Sequence, residues 1–182
     1  MLTDKLAAQT ACTIVRHYRQ FKLLLIHPGL PGREHVIDAV RRDPPCPLYY
    51  YRPGRQPPGA AQFLREMAHL LGRDMPAASG HLQEALSRAP VDLQGLAGAL
   101  ADDLHALGDQ PYLLVLDEYE RLAADAETQD LLDALLPQLP PACHLLLNSS
   151  TIPPLPWVTL VAQQQVAVVY GSDLRSGSEP NN

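Results

Sequence analysis

The chain has 182 residues, the size of one ordinary domain with room for a substantial core. Hydrophobic residues make up 46% and charged residues 19%, a globular composition that excludes a disordered chain. Acidic residues outnumber basic ones by 20 to 14, and the net charge of −6 argues against a nucleic-acid-binding surface on this domain.

The predicted elements alternate between helices and short strands. Apolar residues that recur every three or four positions mark the helices, and apolar or aromatic runs mark the strands. In chain order the prediction is a helix over 4–18 capped by Thr3, a strand over 22–26, a helix over 33–42, a strand over 48–51, helices over 62–71, 80–88 and 93–107, a strand over 112–116, a helix over 126–139, and strands over 145–147 and 166–170. This alternation predicts right-handed crossovers between parallel strands, and therefore a three-layer α/β domain.

The remaining composition bears on compartment and domain organisation. We expect one domain over 1–174 and a disordered tail over 175–182. No apolar run is long enough to span a membrane, and the charged N-terminus does not resemble a signal peptide. The three cysteines are far apart and form neither a disulfide framework nor, with the seven histidines, a metal-ligand spacing. A cytoplasmic protein is therefore expected.

The loop after the first predicted strand has the length of a phosphate-binding P-loop. Such a loop reads G-x-x-x-x-G-K-[ST] between a strand and a helix. Counting back from Gly32, His27 stands at the first glycine position, Arg33 at the lysine position and Glu34 at the hydroxyl position. Arginine is a wider group than lysine, and the Glu34 carboxylate would repel phosphates where Ser or Thr would ligate magnesium. Three interpretations stay open: a turn in which Gly and Pro serve geometry only, a weakened nucleotide site, or a site for another anion.

An acidic pair follows the third predicted strand. Asp117 and Glu118 come directly after the apolar run over 112–116, which is the form of a Walker B strand. In a working site of this kind, the aspartate holds magnesium through water and the glutamate orients or activates the attacking water. The alternative is that both residues only end the strand and cap the loop.

Taken together, these segments resemble the nucleotide-binding domain of the STAND P-loop NTPases. LLLIHPGLPGREHVIDAV resembles the first strand and P-loop of that family, and PYLLVLDEYERL resembles its Walker B strand. QDLLDALLPQLPPACHLLLNSS is similar to the helix and fourth strand that follow. The nearest branch is that of the MalT-type and LuxR- or SARP-related transcriptional activators, and the resemblance covers residues 1–174.

The resemblance assigns roles only where residues match the family pattern. Asp117 matches the metal-binding aspartate and Glu118 the catalytic acid, whereas Ser150 stands where the family usually carries an arginine. The resemblance implies cofactor-binding positions in the loop after the first strand, and a polar residue ends the fourth strand. These candidates are Pro28, Gly29, Gly32, Arg33, Glu34 and Asn148. Arg33 and Glu34 are the two departures from the pattern.

Two functions remain open from the sequence. The first is a regulatory NTPase-like module of a bacterial transcriptional regulator, with nucleotide binding weakened or lost. Such a module would act through protein partners or other domains of the same regulator, with no direct contact to nucleic acid or membrane. The alternative is a weak ATP-binding or ATP-hydrolysing switch in which Arg33 replaces the lysine. The second function requires ATP or ADP with Mg²⁺, and the first requires no cofactor.

Overall fold

One parallel sheet organises the molecule. In the computed structural model, which describes residues 2–74, 80–88 and 92–169, the sheet has five strands in the order β2-β3-β4-β1-β5. The strands are β1 (Leu23–Ile26), β2 (Leu48–Tyr51), β3 (Tyr112–Leu116), β4 (Cys143–Asn148) and β5 (Val166–Val169). All four strand pairs are parallel, which confirms the predicted sheet. The order places β4 between β1 and β3 and leaves β2 and β5 at the edges.

Helices cover both faces of this sheet. They are α1 (Leu2–His17), α2 (Arg33–Arg42), α3 (Ala60–Asp74), α4 (Gly80–Ser87), α5 (Leu93–His105), α6 (Tyr119–Leu122), α7 (Ala126–Leu135) and α8 (Trp157–Ala162). Side chains of α1 and α2 pack with one face of the strands, and those of α3, α5 and α7 pack with the other. The domain therefore has the predicted three layers.

The strands read as continuous apolar runs because both of their faces are buried. In β1, Leu23 and Leu25 lie in the core under α3, α5 and α7, whereas Leu24 and Ile26 lie in the core under α1 and α2. All four side chains are at most 3% exposed. Burial of each such side chain contributes about 2 kcal/mol to folding, which explains why a four-residue strand persists here.

Local sequence features explain where α5 begins and ends. The Asp92 carboxylate accepts hydrogen bonds from the backbone N–H groups of Gln94 and Gly95, which makes it the N-cap of α5. Gly108 lies just beyond the end of α5 with a φ of 100°, a conformation that glycine adopts without strain.

Several predicted boundaries need correction. Tyr119–Leu122 forms α6, where no helix or strand was predicted, because Tyr119 and Leu122 are buried against the core. The predicted helix over 126–139 ends at Leu135 and continues as the 3-10 turn Leu136–Gln138, since Pro137 has no N–H to extend an α-helix. Helix α8 lies in a segment with no predicted element.

Some expectations fall outside the part of the chain that the structure describes. The predicted tail over 175–182 and the last residue of the fifth predicted strand, Tyr170, belong to this group. Within residues 2–74, 80–88 and 92–169, no helix has both the length and the apolar character required to cross a membrane.

Candidate functional site

The sheet topology brings the candidate residues to one edge of the domain. The carboxyl ends of parallel strands share an edge, where open α/β sheets bind their ligands. Asn148, the last residue of β4, pairs in register with Ile26, which directly precedes the P-loop-like turn. On its other side β4 pairs with β3, which Asp117 follows. The predicted acidic pair and Asn148 therefore lie together, next to the loop after β1.

Asp117 lies at the centre of this cluster, and neighbouring residues of the chain donate hydrogen bonds to its carboxylate. Asp117 is 6% exposed. Oδ2 accepts a 2.5 Å hydrogen bond from the Tyr50 hydroxyl, while Oδ1 accepts from Asn148 Nδ2 at 2.6 Å and from the Glu118 N–H at 3.0 Å. Arg52 Nε lies 3.9 Å from Oδ2 and supplies a countercharge. Both carboxylate oxygens are thus engaged without any metal ion.

The Tyr50 hydroxyl acts as a donor throughout the ordinary pH range. Burial raises the pKa of Tyr50 to about 12, and the hydrogen bond and charge of Asp117 act in the same direction. The Arg41 guanidinium packs over the Tyr50 ring, with its central carbon 4.0 Å from the ring centroid. Tyr50 is therefore held from both the ring and the hydroxyl.

Asn148 leaves one polar atom without a partner. Its Nδ2 points to Asp117, an orientation set by charge, because the amide oxygen would repel the carboxylate. Asn148 is 5% exposed, and its Oδ1 has no hydrogen-bond partner among the described residues. A buried acceptor of this kind costs free energy and marks a position where a donor could bind.

Glu118 is held between two arginines. Its backbone is left-handed, with a φ of 52°, at the turn from β3 into α6. Oε1 accepts a hydrogen bond from Arg52 Nη2, and Oε2 lies 2.9 Å from Arg121 Nη1 as an ion pair without hydrogen-bond alignment. Arg121 also donates to the carbonyl of Gly54 at 2.8 Å. The carboxylate predicted to activate water is therefore committed to guanidinium groups.

The loop after β1 keeps the shape of a strand-to-helix turn and satisfies its own amides. Gly32 caps α2 with a φ of 75°, as expected for the last glycine of such a loop. The Leu30 N–H donates to the His27 carbonyl at 2.9 Å, and the Gly29 N–H donates to His27 Nδ1 at 3.0 Å. Two amides that could face an anion are thus bonded within the loop.

The two departures from the P-loop pattern point in different directions. Arg33 folds back onto the loop and donates through Nη1 to the Pro28 carbonyl at 3.2 Å. The Glu34 side chain is 68% exposed, with Oε1 4.0 Å from Nε2 of its neighbour His35. Glu34 therefore faces solvent, and Arg33 is engaged with the backbone of its own loop.

These donors and acceptors fit a magnesium–nucleotide complex poorly. Magnesium binds oxygen ligands, but the oxygens of Asp117 already accept from Tyr50 and Asn148. Among the described residues, no three His, Cys, Asp or Glu side chains are grouped so that they could hold a metal ion. Phosphates need free amides and a compact cation, whereas Arg33 binds a carbonyl. The cofactor, metal and catalytic roles of the candidate residues therefore stay predictions.

Sequence reasoning missed three residues of this cluster: Tyr50, Arg52 and Arg121. Tyr50 and Arg52 lie at the carboxyl end of β2, and they reach Asp117 because β2 pairs with β3. The tyrosine run over 49–51 was used only to predict the strand over 48–51. The sequence does show that these strands end in charged or hydroxyl side chains. That pattern indicates a shared site only once the strand order is known.

Comparison with known proteins finds a similar fold in a solved structure. No family model and no curated protein matches the chain. A chain from the solved structure of Drosophila ORC bound to AT-rich DNA and Cdc6 is similar to it, with a TM-score of 0.52 and 14% identity. This chain has a P-loop ATPase-like α/β fold. The similarity covers 89% of this chain and 56% of the ORC-complex chain, so this chain spans little more than half of its length.

Proposed function

We propose that this P-loop-like domain is a regulatory module of a bacterial transcriptional regulator in which nucleotide binding is weakened or lost. In this proposal it is a degenerate member of the STAND class, related to the MalT-type activators, and it acts in the cytoplasm through protein partners or other domains of the same regulator. The sequence resemblance supports the class, and the fold similarity to a P-loop ATPase supports the architecture.

The environment of Asp117 is the observation that carries this proposal. In a magnesium site the aspartate oxygens face the ion's water shell. Here Tyr50 and Asn148 donate to those oxygens from the strands on either side, at 2.5 and 2.6 Å. Short hydrogen bonds to a charged, buried acceptor are among the strong ones, about 1.5–3 kcal/mol each. Magnesium–nucleotide binding would have to displace or rearrange these donors, which weakens it.

One observation favours the alternative, a weak ATP-binding or ATP-hydrolysing switch. Asn148 Oδ1 is buried without a partner at the edge where ligands of such sheets bind. A nucleotide or its bound water could supply the missing donor. In this alternative Asp117 would hold magnesium, Glu118 would act on water, and Arg33 would replace the lysine.

Calorimetric titration with MgATP and MgADP distinguishes the two functions. The unaltered chain is compared with an Arg33→Lys, Glu34→Thr double variant and with Asp117→Asn. The matched control is Arg42→Lys, an equivalent exchange at the other end of α2. We expect no saturable binding by the unaltered chain and by Arg42→Lys, and a gain of binding in the double variant. Absence of binding in all four proteins would favour complete loss over weakening. Saturable binding by the unaltered chain that Asp117→Asn abolishes would establish the switch.

A further inference from the structure

An open groove lies beside one edge of the sheet, between β2 and α3. Its volume is about 380 Å³. Tyr51 and Arg52 line it on the strand side, and Glu66, His69 and Arg73 line it on the helix side. The three helix residues are three, four and seven positions apart, so they share one face of α3. The groove therefore runs along the edge strand with one helix face as its wall.

The backbone of β2 is available for hydrogen bonding along this edge. Pro47 and Tyr51 accept hydrogen bonds from Leu113 and Asp117 on the β3 side, so alternate residues direct their N–H and C=O groups inward. The intervening residues, Leu48 and Tyr50, direct theirs outward. No described residue forms a backbone hydrogen bond with this outer side. An unpaired strand edge is a template for another extended chain.

The groove includes the guanidinium groups of Arg52 and Arg73, in a chain of net charge −6. Arg73 and His69 form no ion pair with any acidic side chain of the described residues. Its one carboxylate, Glu66, is occupied, because Oε2 accepts from the Tyr51 hydroxyl at 2.6 Å and Oε1 accepts from Gln62 at 2.9 Å. The Arg73 guanidinium is left to face an incoming ligand.

We propose that the groove beside β2 binds an extended acidic segment of a partner protein, which adds a strand to the sheet edge. The segment's backbone pairs with the outward groups of Leu48 and Tyr50. Every second side chain of an added strand points to the same face, so acidic residues at alternate positions meet Arg73 and His69. This inference deepens the protein-contact part of the proposed function and is independent of whether the chain binds nucleotide.

The test uses the whole chain and a fluorescein-labelled ten-residue peptide of alternating threonine and glutamate. Binding is followed by fluorescence anisotropy, and the peptide's effect on each backbone amide is followed by NMR hydrogen exchange. We expect saturable binding that slows exchange of the Tyr50 amide. A peptide with lysine in place of glutamate should bind at least about fivefold more weakly, because its charge opposes the groove. A peptide N-methylated at every residue should also lose binding, since neither of its edges can donate hydrogen bonds to a strand.

Charge reversal on α3 locates the binding site. Arg73→Glu should weaken peptide binding about fivefold or more, whereas Arg65→Glu, an exposed arginine on the same helix outside the groove, should leave it unchanged. Arg52 is kept, because it also binds Glu118. Arg73 lies in the last turn of α3, so Arg73→Gln serves as a milder second variant, and thermal melting verifies that both variants fold.

Four results would overturn the inference. The first is absence of saturable binding at millimolar peptide. The second is equal binding of the N-methylated peptide, and the third is full competition by inorganic phosphate, which would indicate an anion site without strand addition. The fourth is protection of the Tyr50 amide that grows with protein concentration in the absence of peptide, which would mean that a second copy of the chain occupies the edge.

Discussion

Replacing Tyr50 with phenylalanine tests whether the protein's own donors hold the acidic cluster together. The substitution removes the hydroxyl that donates to Asp117 Oδ2 at 2.5 Å and keeps every ring carbon. Asp117 is 6% exposed, so water replaces the lost donor poorly. A hydrogen bond to a charged group is worth about 1.5–3 kcal/mol, and we expect Tyr50→Phe to lower the free energy of unfolding by ~2 kcal/mol.

Urea denaturation of a double-mutant cycle with Asp117→Asn measures this value. If the hydroxyl stabilises the fold through the carboxylate charge, Tyr50→Phe should cost much less in the Asp117→Asn background, with a coupling of ~1 kcal/mol or more. Tyr51→Phe is the matched control. Its hydroxyl donates to the more accessible Glu66, so that variant should lose only about 1 kcal/mol. Coupling below about 0.3 kcal/mol would refute the reasoning, since that is the scatter expected of independent sites.

The pH dependence gives a second readout of the same bond. Burial first, and then the hydrogen bond to Asp117, raises the pKa of Tyr50 to about 12 in the folded chain. An unfolded tyrosine titrates near about 10, so this stabilisation is fully present below about pH 10 and is lost as the pH rises through about 12. Asp117→Asn should shift the loss to lower pH. In a UV titration, the phenolate absorbance of Tyr50 is the part of the signal that is absent in Tyr50→Phe. Asp117→Asn should also shift this absorbance to lower pH.

Two further predictions concern stability away from this cluster. Asp103 is fully buried, and its carboxylate accepts hydrogen bonds from the N–H groups of His81 and Leu82 and from His81 Nδ1 at 2.9–3.0 Å. Asp103→Ala should therefore lower the free energy of unfolding, measured in urea, by ~3 kcal/mol. It should also speed hydrogen exchange of the Leu82 amide. The same glycine-to-alanine change should have opposite signs at two sites. Gly32→Ala destabilises by about 1 kcal/mol because φ is 75°, whereas Gly98→Ala in α5 stabilises by up to about 1 kcal/mol because a Cβ there meets an ordinary 3.6 Å contact. In urea denaturation, destabilisation by both would contradict the Gly98 argument, and stabilisation by both would contradict the Gly32 argument.

The sequence predicted the regular elements whose ends are marked locally. Helix α2 matches its predicted bounds, between Gly32 and Pro44, and β3 matches because a five-residue apolar run buried on both faces has few alternatives. Helices α6 and α8 have only four and six residues. Elements so short have little helical stability of their own, and tertiary packing determines them, so no local pattern predicts them.

The site was predictable only in part, for a related reason. The apolar run followed by Asp117 and Glu118 is a contiguous pattern, and it was recognised. Tyr50 lies 67 positions away from Asp117, and their contact depends on β2 pairing with β3. Strand order is a non-local property of the fold, so a single sequence contains no local pattern that reports this contact.

The acidic pair has a structural role that does not depend on catalysis. A buried carboxylate needs donors or a countercharge in any state of the protein, because an unpaired one costs several kcal/mol. Here Tyr50 from β2 and Asn148 from β4 supply those donors, and Arg52 and Arg121 neutralise the neighbouring Glu118. The pair therefore links three adjacent strands at their carboxyl ends. It follows that a strand ending in two acids does not by itself indicate hydrolysis.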